Sequence, residues 1–167
     1  MERKRMVTFK GQAMTLVGEP VHTGEPAPDF EVVNGSLEPV RLSNFRGQKV
    51  LISSVPSLDT SVCSAQTQRM NQEAAGLDMT VLTISMDLPF AQQRFCEANQ
   101  VANVHVLSDY RDRDFANTYG LLIDELKLCA RAVLIVDQDG IIVYQQIVPE
   151  IAQEPDYEEV LEQARKT

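Results

Sequence analysis

Short apolar runs alternate with helix-like segments along the middle of the chain. Two runs rich in apolar and β-branched residues, Lys49 to Val55 and Met79 to Met86, predict buried strands. Each is followed by a segment with the length and end signals of a helix, Ser61 to Ala75 and Leu88 to Asn99. This β-α-β-α order favours parallel strands with helices packed against the sheet.

The rest of the chain predicts further strands and two more helices. They are an N-terminal hairpin (Met6 to Phe9 and Met14 to Val17), strands at Phe30 to Val33, His105 to Leu107, Ala132 to Val136 and Ile141 to Val148, a short helix at Asp112 to Tyr119, and a last helix beginning at Pro155. The tetrad Asp137-Gln138-Asp139-Gly140 predicts a turn between two antiparallel strands. We expect an α/β fold, with a central mixed β-sheet flanked by helices and an N-terminal β-hairpin, in a single domain over residues 1–167.

Composition and charge narrow the classes of function. Of the 167 residues, 44% are hydrophobic, which is typical of a globular protein. The net charge of -9 argues against a general nucleic-acid-binding surface. No stretch approaches the roughly 18 apolar residues of a membrane span, and Arg3-Lys4-Arg5 is not followed by the apolar run of an export signal. We therefore expect a cytoplasmic protein that binds neither nucleic acid nor membrane.

The cysteine and histidine content bears on metals and disulfides. Three cysteines are too few for a disulfide scaffold, and their odd number fits free, reactive thiols better. His22 and His105 lack ligand-like spacing with the cysteines. We therefore expect no metal site.

Cys63 is the candidate nucleophile because of its place in the predicted elements. A strand ends at Pro56, and Asp59, Thr60 and Ser61 are all good N-cap residues, so Cys63 is expected in or beside the first turn of a helix. Unpaired backbone N–H groups and the positive end of the helix dipole favour a thiolate there. Ionisation alone explains little of a fast reaction, because nucleophilicity falls as a thiol becomes more acidic. Further groups must hold the substrate and stabilise the leaving anion.

The second cysteine of interest, Cys96, is predicted on the polar face of a helix. The expected apolar stripe consists of Ala91, Phe95 and Ala98. The three- and four-apart neighbours of Cys96 are Gln92, Gln93, Asn99 and Gln100. Taken singly, free cysteines are more often small core residues than reactive ones, but a thiol on a polar face is expected to be accessible.

Four blocks of sequence, in order along the chain, resemble the peroxiredoxins and in particular their branch of bacterial thiol peroxidases. The blocks are Pro56-Ser57-Leu58-Asp59-Thr60-Ser61-Val62-Cys63, Asp87-Leu88-Pro89-Phe90-Ala91-Gln92 with Arg94-Phe95-Cys96, Ala130-Arg131-Ala132-Val133, and Glu154-Pro155-Asp156-Tyr157. The resemblance implies the thioredoxin-like fold in its peroxiredoxin version. It also implies a peroxidase cycle without metal or organic cofactor, a thioredoxin reductant and a homodimer.

The resemblance also implies roles for five residues. Cys63 would be the peroxidatic cysteine, which attacks a peroxide oxygen and becomes a sulfenic acid, and Cys96 the resolving cysteine, which condenses with it to an intrachain disulfide. Thr60 would hydrogen-bond the thiolate and the peroxide. Arg131 would orient the peroxide and stabilise charge on the departing oxygen, and Pro56 would shape and shield the pocket.

Two positions depart from the family pattern, and two other classes of function stay open. Val55 stands where many peroxiredoxins carry an aromatic residue, and Cys129 is an extra thiol to which no catalytic role is assigned. A disulfide oxidoreductase is disfavoured because the chain has no C-x-x-C motif. A non-enzymatic redox sensor would use the Cys63–Cys96 pair to change shape.

The predicted order of elements carries a mechanical requirement. A disulfide needs Cα atoms about 5.5 Å apart, yet Cys63 and Cys96 are expected on different helices. Oxidation is therefore expected to melt the first turn around Cys63, the segment around Cys96, or both.

Overall fold

The computed structural model describes residues 5–167, so Arg3 and Lys4 of the charged start lie outside the described residues. The strands are β1 (Arg5–Phe9), β2 (Gln12–Val17), β3 (Glu31–Val33), β4 (Pro39–Arg41), β5 (Val50–Ser54), β6 (Thr80–Ser85), β7 (His105–Ser108), β8 (Leu122–Ile123), β9 (Leu128–Cys129), β10 (Ala132–Val136) and β11 (Ile142–Ile147). The helices are α1 (Ser61–Ala74), α2 (Pro89–Asn99), α3 (Asp114–Thr118) and α4 (Tyr157–Lys166), with one 3-10 helix at Leu42–Phe45.

The central sheet has seven strands in the order β11-β10-β5-β6-β7-β3-β4. Strands β5, β6 and β7 pair in parallel, whereas β10 is antiparallel to both β5 and β11. The predicted mixed sheet is therefore confirmed. Strand β5 lies inside the sheet with every residue buried, which accounts for its unbroken run of apolar and small residues.

A second sheet of four strands, in the order β1-β2-β8-β9, contains the predicted N-terminal hairpin. Strands β8 and β9 were not predicted, because each has two residues and is too short to show a period. The three-residue β4 was missed for the same reason.

The two faces of the central sheet carry different layers. Along β10, Val133 and Ile135 pack in a cluster with residues of α1 and α4, whereas Leu134 and Val136 pack in a larger cluster with the four-stranded sheet and α3. The alternation follows from the period of two in a strand. Helices α1 and α4 therefore cover the face opposite the small sheet.

The last two helices begin later than predicted because side chains decide where each starts. Helix α4 begins at Tyr157 rather than at Pro155, since the carboxylate of Asp156 accepts a hydrogen bond from Glu159 N at 3.1 Å. Helix α3 begins at Asp114, where buried Asp109 accepts from the backbone N–H groups of Phe115 (3.0 Å) and Ala116 (2.9 Å).

Asp109 is a buried carboxyl group, only 2% exposed, and its titration is perturbed. Burial raises the pKa of Asp109 to about 6, with a further upward push from Asp114 and Asp112, although the two backbone N–H donors oppose the shift. Because this pKa is raised in the folded state, the stabilising contribution of the group is present at low pH and is lost as the pH rises through about 6.

We expect the Asp109→Asn variant to reveal this dependence. Relative to the variant, which stays neutral, the wild type should lose up to about 3 kcal/mol of unfolding free energy between about pH 4 and pH 7. Denaturant unfolding of both proteins across this range measures the difference, and a carboxyl NMR titration gives the midpoint. A difference that does not change with pH would contradict the prediction.

Candidate active site

Cys63 lies at the junction between strand β5 and helix α1. It is the third residue of α1, before the first intrahelical bond, which Ser64 N donates to the Thr60 carbonyl at 3.0 Å. The structure thus places Cys63 in the first helical turn, as the sequence predicts. Its side chain is fully buried in an apolar cluster with Val55 and Leu58. The sulfur is therefore shielded from bulk water.

Two donors converge on the Cys63 sulfur. The Arg131 Nη2 group donates to Sγ at 3.2 Å, and the backbone N–H of Ser57 donates to it at 3.4 Å. Donors aimed at a sulfur favour its charged form. The arrangement is therefore suited to hold a thiolate in a buried site.

Arg131 explains why a thiolate fits here. Its guanidinium is 2% exposed and donates to the Ile151 carbonyl (2.9 Å), to Gln66 Oε1 (2.9 Å) and to Cys63 Sγ. None of the ion pairs within residues 5–167 involves Arg131. A buried cation needs an anionic partner, and of these three acceptors only the sulfur can supply a negative charge.

Gln66 is a member of the site that the sequence reasoning missed. It is fully buried, accepts from Arg131 and donates through Nε2 to Ser53 Oγ on β5 at 2.8 Å. It lies three residues after Cys63, on the same face of α1. A glutamine within the buried face of a helix is the signal that could have revealed it, because buried amides need specific partners.

Pro56 and Thr60, the other two predicted site residues, differ in burial. Pro56, for which a shielding role is predicted, is buried two residues after the end of β5. Thr60 is exposed, and its hydroxyl donates to the Ser57 carbonyl at 2.9 Å rather than to the Cys63 sulfur or to the helix. The predicted bond from Thr60 to the thiolate is therefore not formed in this arrangement, because the hydroxyl donates its hydrogen bond to the Ser57 carbonyl.

Cys96 is a half-buried free thiol in α2. Burial raises its pKa, and the neighbouring Glu97 carboxylate adds to the shift. The preceding residue, Phe95, packs against the apolar cluster around Cys63. Helix α2 is therefore packed against the site that contains the other cysteine.

The predicted faces of α2 were partly wrong. Gln92, assigned to the polar face, is 1% exposed and donates to the Leu107 carbonyl and to Ser85 Oγ, whereas Ala98, assigned to the apolar stripe, is exposed. Hydrogen bonds to β6 and β7 compensate for burial of the Nε2 group, whereas Oε1 has no partner within the described residues. Cys96, four residues after Gln92, is consequently less accessible than predicted.

Cys129 lies on the other side of the central sheet from Cys63. It is fully buried in the large cluster with Ile52 and Leu134, the one shared with the small sheet. Burial raises the pKa of the Cys129 thiol well above its usual value, and the Asp109 carboxylate adds to the effect. A protonated thiol in this position is inert.

Within residues 5–167, no group of three or more His, Cys, Asp or Glu side chains is placed to hold a metal ion. In the same part of the chain no helix combines the length and the apolar character needed to cross a membrane.

The fold and the site together define a thioredoxin-like protein with an active thiol, and comparison with known proteins agrees. The model of the Redoxin family matches residues 22–161. The thiol peroxidase of Bacillus subtilis is 49% identical over 160 residues, covering 95% of this chain and 96% of its own. That of Listeria innocua is 51% identical over 161 residues, covering 96% and 98%.

A solved structure gives the same result. The peroxiredoxin-like protein from Aquifex aeolicus superposes with a TM-score of 0.92 at 42% identity, covering 97% of this chain and 96% of its own. The chain belongs to the Redoxin family and, within it, to the thiol peroxidases. The predicted resemblance and the predicted thioredoxin-like fold are both confirmed.

The contact between Gln66 and Arg131 generates a stability prediction. Gln66→Met keeps the size of the side chain but removes the acceptor for a buried charged donor, so the unfolding free energy of the reduced protein should fall by about 2 kcal/mol. Gln66→Glu, which restores an acceptor for Arg131, should recover most of this loss.

Gln68→Met is the matched control. Gln68 is on the same helix, half-buried, and bonds Ser64 rather than Arg131, so its substitution should cost less than about 0.5 kcal/mol. Denaturant unfolding of the reduced wild type and the three variants measures these differences in unfolding free energy. Equal losses in the two methionine variants would contradict the role assigned to Gln66.

Proposed function

We propose that this protein is a peroxidase that reduces hydrogen peroxide and organic (alkyl) hydroperoxides to water and alcohols, using Cys63 as its nucleophile. The observation that carries the proposal is the 3.2 Å contact between the Arg131 guanidinium and the Cys63 sulfur in a buried site. Membership of the thiol peroxidases supports the same chemistry. The physiological role is antioxidant defence and cell redox homeostasis.

In the first step the Cys63 thiolate attacks one peroxide oxygen. The O–O bond breaks, the attacked oxygen stays on sulfur with its hydrogen as a sulfenic acid, and the other oxygen leaves as hydroxide or alkoxide and takes a proton from water. Arg131 is held by three acceptors and offers charge to the departing oxygen without reorganisation.

Thr60 and Pro56 complete the proposed pocket. Because the Thr60 hydroxyl proton is committed to the Ser57 carbonyl, its oxygen is left as an acceptor for the peroxide O–H. This would hold the hydroxyl oxygen of the peroxide, the one that the sulfur attacks, in place beside Cys63. The buried ring of Pro56 supports a shielding role, which keeps the thiolate from being solvated.

In the second step the Cys96 thiol condenses with the sulfenic acid. The S–O bond breaks, a Cys63–Cys96 disulfide forms and one water is released. Thioredoxin then reduces the disulfide by thiol–disulfide exchange and restores both thiols.

Local unwinding fits this second step in two ways. Cys63 is fully buried within α1, so the sulfur must leave its site to meet Cys96. Unwinding of α2 would also expose Cys96 and remove the burial that raises its pKa, which makes its thiolate more available for attack.

Partner and location complete the proposal. A partner surface, for thioredoxin or for a second copy in a homodimer, is supported by the side chains of Leu88 (51% exposed) and Phe90 (63% exposed) at the start of α2. We place the activity in the cytoplasm, where the reduced state of the thiols is maintained. The chain acts as one domain over residues 1–167, without a metal or organic cofactor.

Cysteine variants test the two steps separately. Cys63→Ser should abolish turnover, because the nucleophile is gone. Cys96→Ser should undergo one round of fast oxidation but block recycling by thioredoxin. Stopped-flow oxidation by hydrogen peroxide and cumene hydroperoxide, followed by mass mapping of the disulfide, measures both.

Other outcomes would point to the alternative functions. Cys129→Ser serves as the control and should keep turnover, since Cys129 lies across the sheet. Oxidation of the wild type at the slow rate of a free thiol would favour a redox sensor. Rapid insulin reduction by the dithiol form without peroxide would favour a disulfide oxidoreductase. Loss of the first oxidation in Cys96→Ser would contradict the assigned roles.

Amide hydrogen exchange tests the unwinding. On oxidation to the disulfide, protection should fall in the first turn of α1, in the segment around Cys96, or in both, while strand β5 stays protected. The reduced and the oxidised protein are compared by mass spectrometry. Equal protection of both cysteine segments in the two states would rule out the proposed order change.

A further inference from the structure

The carboxylate of Asp87 lies between the segments that carry the two cysteines. It is half-buried in the connection from β6 to α2. Its Oδ1 accepts from Ser57 Oγ at 2.9 Å, and its Oδ2 accepts from Leu58 N at 2.7 Å and from Ser85 Oγ at 2.7 Å. Three donors from two segments therefore converge on one charged group.

On one side, this carboxylate holds the residue that contacts the nucleophile. Ser57, bound through its hydroxyl, donates its backbone N–H to Cys63 Sγ at 3.4 Å, and Leu58 packs in the same apolar cluster as Cys63. The position of this N–H thus depends on a turn that Asp87 fixes from outside. A charge-assisted bond is stronger than a neutral one, which suits it to this task.

On the other side, the same carboxylate reaches the helix of the second cysteine. Ser85 Oγ, which donates to Asp87, accepts from Gln92 Nε2 at 3.0 Å. Gln92 lies one turn before Cys96 on α2. A continuous series of hydrogen bonds therefore runs from the Cys63 sulfur through Ser57, Asp87 and Ser85 to α2.

We propose that Asp87 is a positioning residue that holds both cysteine segments in their folded arrangement and thereby sets the balance between the two chemical steps. The inference rests on the proposed function, because it assumes a peroxide step at Cys63 and a disulfide step with Cys96. Its bonds exist only while both segments are folded. They favour the first step, which needs the donors at the sulfur, and oppose the second, which needs unwinding.

The two steps should therefore respond to the loss of Asp87 in opposite directions. In Asp87→Ala the second-order rate of sulfenic acid formation should fall about tenfold, since the Ser57 donor is no longer held, and the rate of disulfide formation should rise by a similar factor. General damage to the fold would instead slow both steps. Asp87→Asn keeps an acceptor for Leu58 N and a partner for Ser57 Oγ, so both rates should lie close to those of the wild type.

Asp59→Ala is the matched control. Asp59 lies next to Leu58, is exposed, and its carboxylate accepts no hydrogen bond within the described residues 5–167. This variant removes one negative charge, as Asp87→Ala does, from the turn that Asp87 holds, and it leaves the series of hydrogen bonds intact. Both of its rates should stay within about twofold of the wild type.

The experiment measures both rates by stopped-flow in the wild type and the three variants. Exchange of the Leu58 amide in each reduced protein is measured in parallel, and it should be faster in Asp87→Ala alone. Opposite changes in the two rates with faster Leu58 exchange would establish the inference. Equal slowing of both steps, or rates like those of Asp59→Ala, would overturn it.

A second variant and the wild type keep the test decisive. If Asp87→Ala does not fold, Ser57→Ala removes one bond of the series and should change the two rates in the same opposite directions by a smaller factor; unchanged rates would overturn the inference. The wild type is the check on the proposed function itself. Slow oxidation of the wild type, or no Cys63–Cys96 disulfide, is a failure of the function rather than of the role of Asp87.

Discussion

The rest of the site depends on the burial of one positive charge, the guanidinium of Arg131, against the Cys63 sulfur. A charge removed from water must be matched in charge and in hydrogen bonds. Two segments supply the partners of Arg131, and a third supplies Arg131 itself. Helix α1 supplies the sulfur and Gln66, the residue before β10 supplies the arginine, and the Ile151 carbonyl comes from the segment before α4. Strands β5 and β10 pair directly, so the sheet sets where these groups meet.

The same site must satisfy two opposing demands. Peroxide chemistry needs a shielded sulfur with fixed donors, whereas a disulfide between two helices needs those donors to be released. Polar contacts can meet both demands, because a hydrogen bond that is broken within the protein can be replaced by one to water. The connection between the two cysteine segments through Ser57, Asp87 and Ser85 is polar in this way. Beside it, Phe95 supplies apolar packing that favours the folded arrangement.

Most helices and strands could be predicted from the sequence, and the errors have physical causes. Long runs such as β5 and α1 carry their own period and end signals, so their bounds agree with prediction to within one or two residues. The missed strands β4, β8 and β9, of two or three residues, carry no such signals. The face of α2 was misassigned at Gln92, because hydrogen bonds to Ser85 and Leu107 stabilise an amide that its polarity alone would place in solvent.

The sequence by itself determined where the nucleophile lies, since a strand, a turn and an N-cap are local features that place Cys63 in the first helical turn. It also determined the family, through motifs spread along the chain. Only the tertiary structure decided what touches the sulfur. Arg131 is 68 residues away in sequence, the Thr60 hydroxyl bonds a carbonyl rather than the sulfur, and Cys129 faces the opposite side of the sheet. Such contacts depend on how distant segments pack, and no local pattern of residues specifies them.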